Sequence, residues 1–216
     1  MEIQNLIVFS MELLGTISFA ASGAIVGINR GMDIFGVCVL GVVTAVGGGM
    51  TRDVILRIVP GALTNPIYVL VAVSTALLVF IGLYFKRNLL QGKPGELYDK
   101  AMLIMDSIGL GIFTAVGVTT GINTGYPDNM FLLTFLSTLT GVGGGLLRDM
   151  MAGVPPYIFV KHVYASASVI GAISCAWIYR GFGQVPAMII SSILVVLIRF
   201  LAAHYHWNLP RMKKDA

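Results

Sequence analysis

Six ionisable residues stand inside long apolar stretches of this chain and form matched pairs: Glu12 with Asp106, Arg52 with Arg148, and Asp53 with Asp149. Arg199 stands alone. Charges buried in hydrocarbon are costly, so these groups must face the interior of a bundle and find partners there. Carboxylates and guanidiniums held in that way either lock helices together or line a polar route for an ion. The motifs of bond-making chemistry are missing. No H-E-x-x-H helix, cysteine–histidine cluster or G-x-S-x-G elbow occurs, so a metal centre and an enzyme are unsupported and no cofactor is expected. His204 and His206 splay around a helix and His162 follows Lys161 at a helix entrance, so all three read as interfacial.

The elements that must position these charges are membrane helices. The chain has 216 residues, 56% hydrophobic and 11% charged, with a mean hydropathy of +0.87. A soluble domain of this length needs far more charged surface. Seven apolar blocks, at 6–28, 34–59, 67–85, 101–122, 130–154, 162–179 and 185–204, are each long enough for a bilayer core of ~30 Å. The N-terminus lacks the basic region of a cleavable signal, so the first block is expected to stay as a helix. Cys38 and Cys175 fall inside apolar blocks and behave as small hydrophobes.

The sequence pI of about 9.2 reflects topology. Lys86, Arg87, Lys93 and Lys100 share one linker, and Arg211, Lys213 and Lys214 share the C-terminal tail. With seven spans both segments fall on one side, with Arg30 and Lys161, leaving Arg57 and Arg180 opposite. That asymmetry orients the chain with its N-terminus outside and its C-terminus in the cytoplasm. Nucleic acid is not an expected partner.

A repeat runs through the chain. Residues 47–53 read GGGMTRD and residues 143–149 read GGGLLRD, 96 positions on. Gly15, Phe19, Ala21, Gly23, Gly27, Ile28 and Asn29 recur 94 positions on as Gly109, Phe113, Ala115, Gly117, Gly121, Ile122 and Asn123. Pro60 recurs as Pro156, and after it the match fades. Three spans per repeat is an odd number, so the second copy enters the membrane inverted. The expected organisation is a first three-helix repeat at 1–85, a cytoplasmic linker at 86–103, a second, inverted repeat at 104–180, and a seventh helix with a cytoplasmic tail at 181–216.

Depth follows from ~1.5 Å of rise per helical residue. Glu12 and Arg52 fall in the outer half of the membrane, and Asp106 and Arg148 in the inner half. Each pair should meet, giving two polar vestibules related by a pseudo-two-fold axis. Gly47, Gly48, Gly49 and Gly143, Gly144, Gly145 stand between them. Glycine costs about 1 kcal/mol relative to alanine inside a helix. Each triplet should therefore bend or break its span, and paired interruptions point to a central solute path. Close helix packing is the other reading of the triplets, and the one that fits Gly23-x-x-x-Gly27 and Gly117-x-x-x-Gly121. Asp53 and Asp149, just past the breaks, would favour the N-terminal ends of new half-helices. A cation route would use carbonyls at the kinks and the hydroxyls of Thr44, Thr51, Ser137 and Thr140.

The doubled G-G-G-x-x-R-D motif in two three-helix repeats followed by a seventh helix resembles the prokaryotic trimeric intracellular cation (TRIC) channels, over about residues 5–205. It also resembles a bacterial membrane family labelled by a glycine-transporter domain. The resemblance implies an all-α integral membrane protein with kinked second and fifth helices. It further implies a homotrimer with one pore in each protomer, permeable to K⁺ and less selectively to Na⁺, in contact with membrane lipid. Gly47, Gly48, Gly49 and Arg52 match the first family motif, and Gly143, Gly144, Gly145 and Arg148 the second. Animal members carry a lysine-bearing motif and a basic tail suited to reticulum membranes. The short ending Arg211-Met212-Lys213-Lys214-Asp215-Ala216 favours a bacterial inner membrane. The expected function is a monovalent-cation channel. A carrier of a small amino acid such as glycine and a purely structural membrane protein are the competing readings.

Overall fold

The computed structural model describes residues 2–85, 94–160 and 163–207. Lys86, Arg87, Lys93, Lys161, Arg211, Lys213 and Lys214, which carry much of the charge asymmetry, lie outside the described residues, as does His162. The described elements are α1 (Glu2–Asn29), α2 (Ile34–Ile55), α3 (Gly61–Thr64), α4 (Ile67–Phe85), α5 (Pro94–Asn123), α6 (Met130–Met151), α7 (Tyr157–Val160), α8 (Ala165–Phe182) and α9 (Gln184–His204). Six of these, α1, α2, α4, α5, α6 and α9, are long and apolar enough to cross a membrane. The seventh long helix, α8, has 18 residues and packs among α5, α6 and α9. The described residues are all helix and connecting turns, those of a multi-pass membrane protein of two inverted repeats plus a final helix.

The repeat extends into the turns. The Asp33 side chain accepts the Gly36 N–H at the start of α2, and Asn129 accepts the Leu132 N–H at the start of α6, so each helix opens on a side-chain cap. α1 and α5 end alike: Gly31 at φ 70° and Gly125 at φ 99° turn the chain out of the helix. Their following residues, Met32 and Tyr126, donate N–H back to the carbonyls of Gly27 and Gly121. α5 starts at Pro94, inside the stretch expected as linker, because proline suits the first turn of a helix. α2 and α6 end at Ile55 and Met151, short of the expected limits at 59 and 154.

Packing follows the same symmetry. α1 lies on α2 and α5 on α6, while α2 crosses α6 and α1 runs against α5 at the centre. α4 covers α1 and α2, and α8 covers α5 and α6. α9 breaks the symmetry by lying on α5 and α8. It is admitted by small residues. A Cβ at Gly111 would stand 2.7 Å from the Ser192 carbonyl oxygen, and one at Gly171 would collide with Val195. The repeat mates of these glycines are Ile17 and Thr75, whose side chains would hold a helix off the corresponding face of the first repeat.

Both glycine triplets lie inside unbroken α-helix. The broken hydrogen-bond ladder expected there does not occur. Glycine's intrinsic cost is small, and contact with a neighbouring helix outweighs it. A Cβ at Gly48 would collide with the Thr140 carbonyl oxygen, and a Cβ at Gly144 with that of Thr44. The middle glycines are thus where the backbones of α2 and α6 touch.

Candidate functional site

One face of α1 carries Glu12, Thr16, Phe19, Ser22 and Val26, spaced three or four residues apart, and all but Glu12 are almost fully buried. Antiparallel to it, α5 presents Met102, Asp106, Phe113 and Val116. At ~1.5 Å per residue, the stretch from Glu12 to Ser22 spans about 15 Å. Two polar sets sit at the ends of this seam, with aromatic rings between them.

At the first end, Arg52 Nε and Nη2 both stand 2.7 Å from Asp53 Oδ1. Asp53 Oδ2 accepts the Gly61 N–H at 3.0 Å, which ties the end of α2 to the first residue of α3. Glu12 accepts the Tyr68 hydroxyl. These residues surround a cavity of about 110 Å³ whose lining also includes Thr16, Gly49 and Val116. The structure brings Glu12 and Arg52 to one cavity, as depth suggests, but their direct hydrogen bonds go to Tyr68 and Asp53.

At the second end the Arg148 side chain is wholly buried. Its Nε donates to Asp149 Oδ1 at 2.8 Å and its Nη1 to Asp106 Oδ1 at 2.7 Å. Nη1 also donates to Ser22 Oγ on α1. Asp149 Oδ2 accepts the Tyr157 N–H at 2.8 Å, repeating the Asp53–Gly61 link at α7. A Cβ at Gly145 would stand 2.9 Å from the Tyr164 hydroxyl and 3.6 Å from Asp106 Oδ1, so Tyr164 closes on the same cluster. Arg199 of α9 stacks over the Tyr164 ring, 4.8 Å from its centroid. Beyond the cluster, Val26, Leu40, Met102 and Ala152 pack with Tyr98 and Tyr157 into an apolar plug. One end is an open cavity and the other is sealed.

The carboxylates of Asp53 and Asp149 do not cap half-helices inside the spans. They close the last turns of α2 and α6 and hold the short helices that follow. Thr44, Ser137 and Thr140 are buried beside the α2–α6 crossing, and each donates its hydroxyl to the carbonyl four residues back. Thr51 does the same to Gly47 but lies on the exposed face of α2, away from the cavity. Gly47 and Gly143 complete the crossing, the former against Leu147 and the latter against the Gly48 backbone. Gly49 opens towards Arg52, whose Nη2 is 3.8 Å from where its Cβ would be.

Three relationships escape a reading of motifs alone. Tyr68 and Tyr164 are repeat mates 96 positions apart, found by carrying the offset past Pro60 and Pro156. Phe19 and Phe113, visible as repeat mates, are also ring partners at the centre. Ser22 corresponds to Val116, so the mates differ where the two ends differ.

Fold and site together define a polytopic membrane protein of the inverted-repeat type found in TRIC cation channels. A structure described as a prokaryotic TRIC channel in 0.5 M KCl superposes with a TM-score of 0.83 at 28% identity, covering 95% of this chain and all of that one (100%). A second, from work on conductance through TRIC cation channels, gives 0.80 at 32% identity, with 95% and 97% covered. A TRIC trimeric intracellular cation channel orthologue from Rhodobacter sphaeroides gives 0.81 at 26%, with 92% and 98% covered. The UPF0126 inner membrane protein YadS of Escherichia coli (strain K12) is 34% identical over 214 residues, 97% of this chain and 98% of that protein. The UPF0126 membrane protein YvgT of Bacillus subtilis (strain 168) is 30% identical over 203 residues, 93% and 94% of the two chains. The family profile described as Glycine transporter matches residues 9–84 and 103–180. The chain belongs to that family.

Proposed function

We propose that this protein is a cation channel in which K⁺ or Na⁺ passes through each protomer along the α1–α5 seam. The observation that carries this reading is the pair of buried charge sets at the two ends of one seam, in a fold shared with TRIC cation channels. At the open end two carboxyl groups, Glu12 and Asp53, face the single guanidinium of Arg52, which favours cations in the cavity. Thr16 borders the same space, and hydroxyls that donate to their own helix keep lone pairs free for a passing ion. The unit is a homotrimer, as the description of the Rhodobacter sphaeroides relative supports. It sits in a bacterial inner membrane, as the description of the Escherichia coli relative supports. The cavity end faces outside and the tail the cytoplasm, with lipid against exposed apolar residues such as Leu70 and Leu78.

The test is single-channel recording from purified protein in planar bilayers, under asymmetric KCl and then KCl against NaCl. Unitary steps reversing near the K⁺ potential support the channel. The second reading, a small amino-acid carrier, is favoured by a cavity open at one end and sealed at the other. Saturable glycine uptake into liposomes without unitary current would establish it instead.

A further inference from the structure

The two repeats carry the same four groups in two different pairings. At the sealed end Asp106 bonds to Arg148, and the Tyr164 hydroxyl makes no hydrogen bond among the described residues. At the open end the partners are exchanged. Tyr68, the mate of Tyr164, donates its hydroxyl to Glu12 Oε2, and Arg52 bonds to its chain neighbour Asp53. Glu12 and Arg52 line one cavity, so a carboxylate and a guanidinium are kept apart there. Two contacts fix the tyrosine. Asp53 Oδ2 takes the Gly61 N–H and so anchors the segment leading into α4, whose first turn carries Tyr68. Phe9 of α1 meets the Tyr68 ring edge to face, with centroids 6.2 Å apart and planes at 64°. Glu12 is one methylene longer than its mate Asp106, which extends its carboxylate towards α4.

We propose that Tyr68 is a positioning residue that withholds Glu12 from Arg52, and that this separation presents a negative charge to cations entering the cavity. A carboxylate closed on a guanidinium is a neutral pair with little field beyond itself. Held on a neutral phenol, Glu12 keeps its charge, and its other oxygen is left to the cavity. The charge of Arg52 is met by Asp53 meanwhile. Tyr68 acts through Glu12 in this scheme. It sets how strongly the open mouth concentrates cations, and it has no part in whether the far end is shut. The inference rests on the cation-channel reading and adds to it the residue that keeps the mouth charged.

The experiment compares single-channel records of the wild type, Tyr68→Phe, Glu12→Gln and the double variant. Tyr68→Phe keeps the ring against Phe9 and removes only the hydroxyl. Glu12 then turns to Arg52, so unitary conductance at low salt should fall roughly twofold, as far as in Glu12→Gln, and recover in molar salt. The double variant should fall no further than either single one, because there is one charge to lose; a merely structural tyrosine would give an additive loss. Wild-type conductance in Tyr68→Phe at low salt, or an additive fall in the double variant, overturns the proposal and leaves the channel standing. The pairing is also read without current. A water-soluble carbodiimide with an amine nucleophile labels carboxyl groups that water reaches, and mass spectrometry reads the label at Glu12. A carboxylate paired with a guanidinium does not take the proton this reagent requires. Labelling should therefore drop about tenfold in Tyr68→Phe, the size of a hydrogen bond to a charged group. Equal labelling, or none at Glu12 in the wild type, overturns the proposal whether or not the wild type conducts.

Discussion

Phe19 and Phe113 face one another at the centre of the bundle with ring centroids 5.3 Å apart and planes inclined at 34°. Each ring is seated on a glycine of the helix opposite. A Cβ at Gly109 would collide with Phe19, and one at Gly15 would stand 3.2 Å from the Phe113 ring. The pair is one residue contacting its own repeat mate, as happens only on a pseudo-two-fold axis. It separates the open cavity around Glu12 from the sealed cluster around Arg148.

An apolar pair in the middle of a polar seam resists wetting. Phe19→Leu with Phe113→Leu should raise unitary conductance by roughly twofold or more, at a loss of about 1 kcal/mol for the aromatic contact. Conductance in bilayers and the melting temperature in detergent test the two effects separately. A conductance at or below wild type would move the constriction elsewhere.

The glycines of each triplet should differ in tolerance. Gly48→Ala and Gly144→Ala drive a methyl group into a carbonyl of the facing helix, so each should cost about 3 kcal/mol or more and abolish folded protein at size-exclusion chromatography. Gly49→Ala meets nothing nearer than Arg52 Nη2 at 3.8 Å, so it should be neutral or gain up to about 1 kcal/mol from helix propensity.

Charge at the open end should act on flux and charge at the sealed end on folding. Glu12→Gln leaves a neutral side chain beside Tyr68 in the cavity. Conductance at low salt should fall roughly twofold, and the difference should fade at molar salt as screening shortens the field. Arg148→Met strands Asp106 and Asp149 in the interior and should cost about 3–5 kcal/mol.

Arg57 has a left-handed backbone at φ 57°, where its repeat mate Gly153 has φ 63°. Arg57→Gly should relieve about 1 kcal/mol and raise the melting temperature by a few degrees. No change would mean that the arginine side chain compensates for its backbone.

The seam was legible because charge in hydrocarbon is rare enough to stand out. Depth along a helix brought Asp106 to Arg148 and Glu12 to the cavity of Arg52. Depth fixes height but not azimuth, so it could not show that Glu12 turns to Tyr68 and Arg52 to Asp53. Propensity favours a break at the glycine triplets over a close contact, because propensity knows nothing of a neighbouring helix. The contact between Gly48 and the Thr140 backbone decides for close approach at that point. The third span of each repeat was placed by order alone. α4 buries only Ala72 and Ala76, so few of its positions are constrained to match α8.

The brace formed by α9 leaves the two ends electrically unequal. Arg199 joins the Arg148 cluster through Tyr164, and among the described residues no helix brings a comparable guanidinium to the Arg52 end. In the proposed channel such a gradient of charge would cause rectification: in equal salt on both sides, current in one direction would exceed current in the other. The sign of that inequality would report which way each molecule had inserted, without any label on the protein.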